Sequence, residues 1–154
     1  MLKNVLAQLW RRLPARVRLW TVRLTNPKFT VTAAAVIFNE HGHVLLLKHR
    51  FRPGSGWGLP GGFLKADEQP VAALKRELQE EIGLEIEQIE LFSARTFKRP
   101  RQVEILFLGN GRGQPNPRSV EVERSLWFAP GDLPPSLPAG QKSVIERAVE
   151  KQRV

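Results

Sequence analysis

Three glutamates lie within five residues of one another on a segment with helical periodicity. Glu77, Glu80 and Glu81 are spaced i, i+3 and i+4, so they share an arc of about 100° on one helix face. Like charges at these spacings destabilise a helix, and the cluster therefore requires a compensating cation. Carboxylate oxygens are the ligands that Mg²⁺ and Mn²⁺ prefer. The spacing alone leaves two interpretations open: a divalent-metal site, or a solvated acidic face beside Lys75 and Arg76.

The residues before this segment favour the metal-site interpretation over a solvated acidic face. Gly61 and Gly62 lie in a glycine-rich loop, where the missing side chain lets the backbone approach a helix or a ligand closely. Glu68 precedes the helix, where a carboxylate can accept backbone N–H bonds and interact favourably with the helix dipole.

The helix that carries the glutamates is predicted over residues 70–82. Its apolar side chains recur at spacings of three and four, as in an amphipathic helix. Pro70 suits the first turn and Gly83 suits the position just past the end. The glutamate face lies roughly 110° from the apolar stripe, so we expect it at the rim of a cleft rather than in the core.

Strand-like and helical segments surround this helix. A run rich in β-branched and apolar residues at 29–38 and a second strand-like run at 43–48 flank a turn and predict a hairpin. The segment 52–62 predicts a loop with a short extended piece from Trp57 to Leu59. Further strands are predicted at 86–92, 94–97, 103–108 and 120–128, and a second helix at 141–152. This order predicts an α/β or α+β fold with a mixed sheet between helices.

Composition excludes several classes of protein. The 154 residues contain no cysteine, so disulfide scaffolds, iron–sulfur clusters and thiol nucleophiles are excluded and any metal must be held by oxygen or histidine. The apolar runs fall short of the ~18 residues of a membrane span. Forty-two per cent hydrophobic and 25% charged residues are typical of one globular domain.

The positive charge is concentrated near the amino terminus. Residues 1–30 carry seven basic and no acidic residues, whereas the remaining 124 carry 17 basic and 15 acidic ones. We predict a basic extension over residues 1–28 and a domain over 29–154. The extension is expected to form a helix from Leu2 to Leu13, followed by a linking segment after Pro14. The apolar side chains of the helix are expected to pack against the domain: Leu6, Leu9, Trp10 and Leu13. Phosphate contact and membrane-surface contact are the alternatives.

A 23-residue segment resembles the Nudix box, G-x5-E-x7-R-E-U-x-E-E-x-G-U, where U is a bulky apolar residue. It begins at Gly62 and ends at Leu84, and every defined position matches. The order of elements from Thr30 to about Val149 is similar to the Nudix domain. The resemblance implies an α/β/α sandwich with a mixed central sheet.

The resemblance also implies an activity, a cofactor and roles for the matching residues. The expected reaction is hydrolysis of the pyrophosphate bond of a nucleoside diphosphate linked to another moiety, with Mg²⁺ or Mn²⁺ neutralising the phosphate charge. Glu77, Glu80 and Glu81 would bind the metal, and Arg76 would hold a carboxylate of the box in place. Glu68 would support the loop or reach a metal through water.

The proton acceptor for the attacking water is a further expectation from the family. The acceptor can be a glutamate of the box or one on a later loop, where the candidates are Glu121 and Glu123. We prefer Glu121, which would act as the base or as an outer-shell metal ligand. The alternative for Glu121 is a solvated residue on an edge strand, because it alternates with Val120 and Val122.

Basic residues outside the box are the candidate substrate contacts, because arginine matches phosphate oxygens in a bidentate manner. For each of them a plain surface position is the alternative. They lie before the glycine-rich loop and at a later turn: Arg50, Arg52, Arg95, Lys98 and Arg99. Phe97 or Phe51 could stack on a base, and the three histidines lack the spacing of metal ligands.

We expect a cytoplasmic hydrolase with a small-molecule nucleotide as partner, either monomeric or a homodimer. ADP-ribose or a sugar nucleotide is the first candidate substrate, because Pro100 lies where ADP-ribose pyrophosphatases of this family often carry a proline. Two alternatives remain: a pyrophosphohydrolase acting on RNA 5′-triphosphates, suggested by the basic extension, and a nucleotide sensor without turnover.

Overall fold

The computed structural model describes the backbone of residues 2–153 and the side chains from residue 7 onward. Four helices and seven strands make up this part of the chain. The helices are α1 (Leu2–Arg12), α2 (Ala15–Thr25), α3 (Pro70–Ile82) and α4 (Ala139–Gln152). The strands are β1 (Thr30–Phe38), β2 (Val44–His49), β3 (Trp57–Gly58), β4 (Gly61–Phe63), β5 (Glu85–Phe97), β6 (Gln102–Arg112) and β7 (Val122–Phe128).

The sheet is mixed and lies between two helices, as the sequence predicted. β1 pairs parallel with β6 at the centre, and the other pairings are antiparallel. Side chains alternate across β1: Ala35 and Ile37 pack with α3 in one core, whereas Val36 and Phe38 pack with α4 in the other. Because both faces of β1 are buried from Ala33 to Phe38, that part of its sequence is apolar throughout instead of alternating. The fold is the expected α/β/α sandwich.

The sheet divides beside β1. β1 pairs with β2 only at Phe38 and Val44, and with β4 at Thr32, Ala33 and Ala34. β2 continues away from β1 and pairs with β3 and β7 instead. This division leaves the first half of β1 free to pair with β4, which packs beside α3.

Two predicted strand boundaries were wrong. The separate strands at 86–92 and 94–97 are one strand, β5, because register shifts near Glu87 and Leu91 absorb the irregular pattern without ending the pairing with β6. The strand predicted from residue 120 begins at Val122, and Glu121 lies in the preceding turn.

The amino-terminal extension also differs from the prediction. It contains two helices of 11 residues in place of one helix and a linker, since Pro14 ends the first helix and its fixed φ suits the start of the second. Leu9 and Trp10 are exposed instead of packed against the domain, and the side chain of Leu6 lies outside the described residues. Within residues 2–153, every helix is too short or too polar to cross a bilayer.

Candidate functional site

The three glutamates lie on α3, which packs beside β4. β4 carries Gly61 and Gly62, which pair with Ala34 and Ala33 of β1. A Cβ at Gly62 would overlap the Glu77 carboxylate, so glycine at this position leaves room for that side chain beside the strand. Gly83 ends α3 in the left-handed region, with φ of 63°, and its N–H donates to the Gln79 and Leu78 carbonyls.

Arg76 connects three carboxylates on the exposed side of α3. Its Nε and Nη2 donate to the two oxygens of Glu68 at 2.8 and 2.9 Å, a bidentate pair. Its Nη1 donates to Glu77 at 2.8 Å and to Glu80 at 3.2 Å. Hydrogen bonds from Arg76 and from the Lys65 backbone lower the pKa of Glu68 to about 2. Glu68 is therefore a fixed anion that orients Arg76 and closes the loop onto the helix.

Glu81 is the buried member of the trio. It is only 7% exposed, and its Oε2 has no hydrogen-bond partner among the described residues. Burial raises its pKa to about 7, and the charges of Glu77 and Glu121 add to the increase. An unpartnered, buried carboxylate is costly unless a cation compensates it.

His49 lies next to Glu81, with 4.0 Å between His49 Nδ1 and Glu81 Oε1. Burial lowers the pKa of His49 to about 4, helped by the charge of Arg52, so the imidazole is neutral at neutral pH. The sequence analysis assigned this histidine no role. No signal in the sequence pairs it with Glu81, because the two residues are 32 positions apart and β3 and β4 lie between them.

Glu121 reaches the same region through backbone contacts. The Arg118 and Ser119 N–H groups donate to the Glu81 carbonyl at 2.7 and 3.3 Å, which holds the loop before β7 against the end of α3. The Arg50 N–H donates to the Glu121 carbonyl at 2.8 Å. The backbone thus brings the Glu121 carboxylate near enough for its charge to act on Glu81.

The donor set suits a hard divalent cation at Glu81. Within residues 2–153, no three acidic or histidine side chains converge as a ready-made metal cluster, since Arg76 holds Glu77 and Glu80. The free Glu81 oxygen is a hard donor, and a cation there would also offset the repulsion from Glu77 and Glu121. The residues therefore fit an oxygen-bound metal, centred on Glu81.

A cavity of about 710 Å³ opens next to this acidic cluster. β4 forms one wall, and Arg52, Arg95 and Phe97 line it together with Gln141 of α4. Arg52 Nη1 is buried and has no hydrogen-bond partner among the described residues. Burial lowers the Arg52 pKa from its ordinary value, although the charge of Glu81 opposes that change. The cavity therefore holds an unpartnered guanidinium nitrogen of Arg52. The unpartnered Glu81 carboxylate lies outside the cavity lining, but its charge acts on Arg52.

The other predicted substrate contacts divide into two groups. Arg95 lines the cavity, but its charge is already paired with Glu104, and its guanidinium carbon lies 4.9 Å from the centre of the Phe97 ring. Arg50, Lys98 and Arg99 are exposed and do not line the cavity.

Comparisons with known proteins agree with this geometry. A family model described as the NUDIX domain matches residues 28–148. The NAD-capped RNA hydrolase NudC of Vibrio parahaemolyticus is 28% identical over 120 residues, which is 77% of this chain and 45% of that protein. The chain thus spans less than half the length of that relative.

Two further similarities cover nearly all of the matched protein. The 8-oxo-dGTP diphosphatase of Haemophilus influenzae is 32% identical over 120 residues, covering 72% of this chain and 88% of that one. The crystal structure of a MutT NUDIX hydrolase from Burkholderia pseudomallei superposes with a TM-score of 0.69 at 29% identity, covering 78% of this chain and 98% of that one.

Proposed function

The chain belongs to the NUDIX domain family, and we propose that it hydrolyses the pyrophosphate bond of a nucleoside diphosphate joined to another moiety. ADP-ribose or a sugar nucleotide is the first candidate substrate, and Mg²⁺ or Mn²⁺ is the proposed cofactor. The names of two relatives, an NAD-capped RNA hydrolase and an 8-oxo-dGTP diphosphatase, support a nucleotide phosphoanhydride as the bond that is cleaved.

One observation supports this proposal most strongly. Glu81 Oε2 and Arg52 Nη1 are both buried and both lack a hydrogen-bond partner among the described residues. A buried acceptor of this kind requires a cation, and a buried guanidinium requires an anion. A metal-bound pyrophosphate supplies both charges at once, since phosphate oxygens bind arginine and share a divalent metal with carboxylates.

The acidic residues take distinct roles in this proposal. Glu81 would hold the divalent ion, with Glu77 and Glu80 as further ligands once they leave Arg76. The bound ion would neutralise phosphate charge and help to orient the attacking water. Glu121 is the proposed proton acceptor for that water or an outer-shell ligand, because its charge acts on Glu81.

The arginines have two proposed roles: one positions the acidic residues and the other binds the substrate. Arg76 keeps Glu68 and Glu77 in place through its hydrogen bonds, so it is a positioning residue. Arg52 would bind a phosphate oxygen in the cavity. Phe97 lines the same cavity, and its ring offers an apolar surface for a nucleobase or a ribose.

Turnover of a substrate panel tests the reaction. The panel contains ADP-ribose, a uridine diphosphate sugar, a dinucleoside polyphosphate, a deoxynucleoside triphosphate and a triphosphorylated RNA oligonucleotide, each with and without Mg²⁺. We expect nucleoside monophosphate from the first two substrates, identified by chromatography and mass. Glu81→Gln should lower kcat/KM by roughly 10²–10³-fold, comparable to the loss of another group that stabilises transition-state charge.

The matched control is Glu85→Gln, which makes the same chemical change at an exposed residue just after α3. It should retain wild-type turnover. Absence of Mg²⁺-dependent product from the whole panel, or full activity of Glu81→Gln, contradicts the proposed function.

An RNA 5′-triphosphate is the second candidate substrate. The basic extension favours it. The relatives named as NAD-capped RNA hydrolases support an RNA 5′ end as the substrate, but their name specifies an NAD cap and not a triphosphate. Release of pyrophosphate from triphosphorylated RNA, at a higher kcat/KM than any free nucleotide of the panel, would make this the preferred activity. Such binding should weaken steeply with added salt, because phosphate contacts release counterions.

A further inference from the structure

The amino-terminal helices expose a continuous set of apolar side chains outside the hydrolase site. Val17, Trp20 and Leu24 of α2 are 45%, 66% and 72% exposed, respectively. Spacings of three and four place them on one side of the helix. Exposed apolar patches of this kind mark interaction sites more often than scattered single residues do.

The second apolar side of α2 is directed toward α1. Leu19 and Val22, which are 55% and 49% exposed, line a shallow groove together with Trp10 of α1. The groove uses one apolar side of α2 and leaves the side with Val17, Trp20 and Leu24 free. The exposed set therefore does not belong to the contact between the two helices.

Positive charge surrounds the exposed set. At about 100° per residue, Arg16 and Arg23 lie on the helix flank next to Trp20. Residues 1–30 contain no acidic side chain, and every ion pair of the described residues lies between Glu40 and Lys151. The arginines of the two helices thus have no carboxylate partner within the described part of the chain.

We propose that α2, together with α1, is a docking surface for an anionic lipid bilayer. The helices lie in the plane of the interface, with Trp20 and Leu24 inserted among the upper acyl chains and the arginines against lipid phosphates. Helices of 11 residues extend about 16 Å, so they lie on the membrane and do not cross it. The surface would bring the hydrolase domain to the membrane.

The charge and the side-chain types favour lipid over other occupants. A second copy of this chain would bring two acid-free basic surfaces together, and like charges disfavour that contact. RNA phosphates would satisfy the arginines, but RNA binding uses aromatic stacking and has no use for the aliphatic Val17 and Leu24. A bilayer interface satisfies both the charge and the apolar side chains.

Vesicle flotation with the full chain tests the proposal. The vesicles contain two parts phosphatidylcholine to one part phosphatidylglycerol, and pure phosphatidylcholine vesicles serve as the neutral comparison. We expect binding to the anionic vesicles only. The double variant Arg16→Gln with Arg23→Gln should weaken the apparent vesicle affinity about 30-fold. Each arginine near the surface contributes about 1 kcal/mol, and about 1.4 kcal/mol corresponds to a tenfold change in affinity.

The apolar contribution is tested separately. Trp20→Ser with Leu24→Ser should weaken binding by roughly tenfold or more, because burial of two large side chains is lost. The matched control, Leu91→Ser with Val120→Ser, removes two exposed apolar side chains from the domain and should leave vesicle binding unchanged. Arg112→Gln with Arg124→Gln removes the same charge from exposed sites of the domain and controls for net charge.

Three results would overturn the proposal. The first is no flotation with anionic vesicles. The second is a pair of observations: the Trp20 and Leu24 substitutions leave vesicle binding unchanged, and an RNA oligonucleotide competes fully with the vesicles. That pair would assign the surface to RNA. The third is a dimer in light scattering that these substitutions dissociate, without vesicle binding by the wild type. Hydrolysis of soluble nucleotide by the Trp20 and Leu24 variant should stay at the wild-type level, so the result is independent of the proposed hydrolase function.

Discussion

Glu81→Gln should stabilise the metal-free protein while it removes activity. Glu81 is buried, its Oε2 has no partner among the described residues, and its ionisation is opposed by burial and by the charges of Glu77 and Glu121. Glutamine keeps the size of the side chain and removes the charge. Without a bound cation, the ionised Glu81 therefore lowers the stability of the folded protein, as expected of a residue retained for function.

The magnitude follows from the pKa change. Burial and neighbouring charge raise the Glu81 pKa from 4.5 to about 7, and a tenfold change in acidity corresponds to about 1.4 kcal/mol. Between pH 4.5 and about 7 the unfolded chain loses the proton first, so rising pH destabilises the native state. The loss is complete above about pH 7 and amounts to about 3 kcal/mol. The stability advantage of Glu81→Gln should therefore be near zero at pH 4.5 and largest above pH 7.

Urea unfolding in the presence of a chelator measures this advantage. The free energy of unfolding is compared for the two proteins from pH 4.5 to pH 8, with tryptophan fluorescence as the signal. About 3 kcal/mol corresponds to a thermal midpoint roughly 6–12 °C higher for a domain of this size. The buried His49, with its pKa lowered to about 4, contributes a similar pH dependence to both proteins, which largely cancels in the difference.

Glu80→Gln is the matched control on the same helix. The Glu80 side chain is 57% exposed and pairs with Arg76, so its loss should change stability by less than about 1 kcal/mol. Added Mg²⁺ should stabilise the wild type at pH 8 by about 2.7 kcal/mol at a hundredfold excess over Kd, and Glu81→Gln far less. A destabilised Glu81→Gln, or a stability difference that is the same at pH 4.5 and pH 8, refutes the reasoning.

Three further predictions concern single residues. Arg52→Gln should raise KM for the nucleotide substrate by roughly tenfold or more while the fold is retained, because no described residue accepts a hydrogen bond from Arg52 Nη1 and that nitrogen is available to a phosphate oxygen. Steady-state kinetics, with the exposed Arg124→Gln as control, checks this. Gly83→Ala should lower the free energy of unfolding by about 1–2 kcal/mol, since φ is 63° there, and an unchanged urea midpoint would contradict it. In the wild type, the stability contributed by the Glu68 carboxylate should be lost as pH falls from 4.5 toward about 2. In Arg76→Gln, the free energy of unfolding should change much less over that pH interval, because the main hydrogen bond to Glu68 is removed. Urea unfolding across the interval measures both.

The sequence predicted the part of the site that depends on short-range geometry. The spacing of Glu77, Glu80 and Glu81 requires only the pitch of a helix, and the apolar stripe and Gly83 define where that helix packs and ends. The run at 29–38 likewise predicted a strand, which the structure shows as β1. These features depend on neighbours within a few residues, so the chain alone specifies them.

Other features depend on contacts between distant segments. Among five basic candidates, the sequence could not separate Arg52, which lines the cavity with its Nη1 buried, from the exposed Arg50 and Arg99, because burial is set by how segments distant in the chain meet. The same holds for the amino-terminal helices, whose apolar side chains matched a packed helix but are left exposed by the fold.

The residues alone thus predicted that three carboxylates share a helix face and that the chain resembles the NUDIX family, to which the family model assigns it. The tertiary structure decided which carboxylate carries the electrostatic cost. Glu81 is enclosed by His49 and by the loop that ends at Glu121, whereas Glu80, one residue earlier, is in solvent. The physical reason is that the free energy of a charge depends on what surrounds it in space, and those surroundings come from segments far apart along the chain.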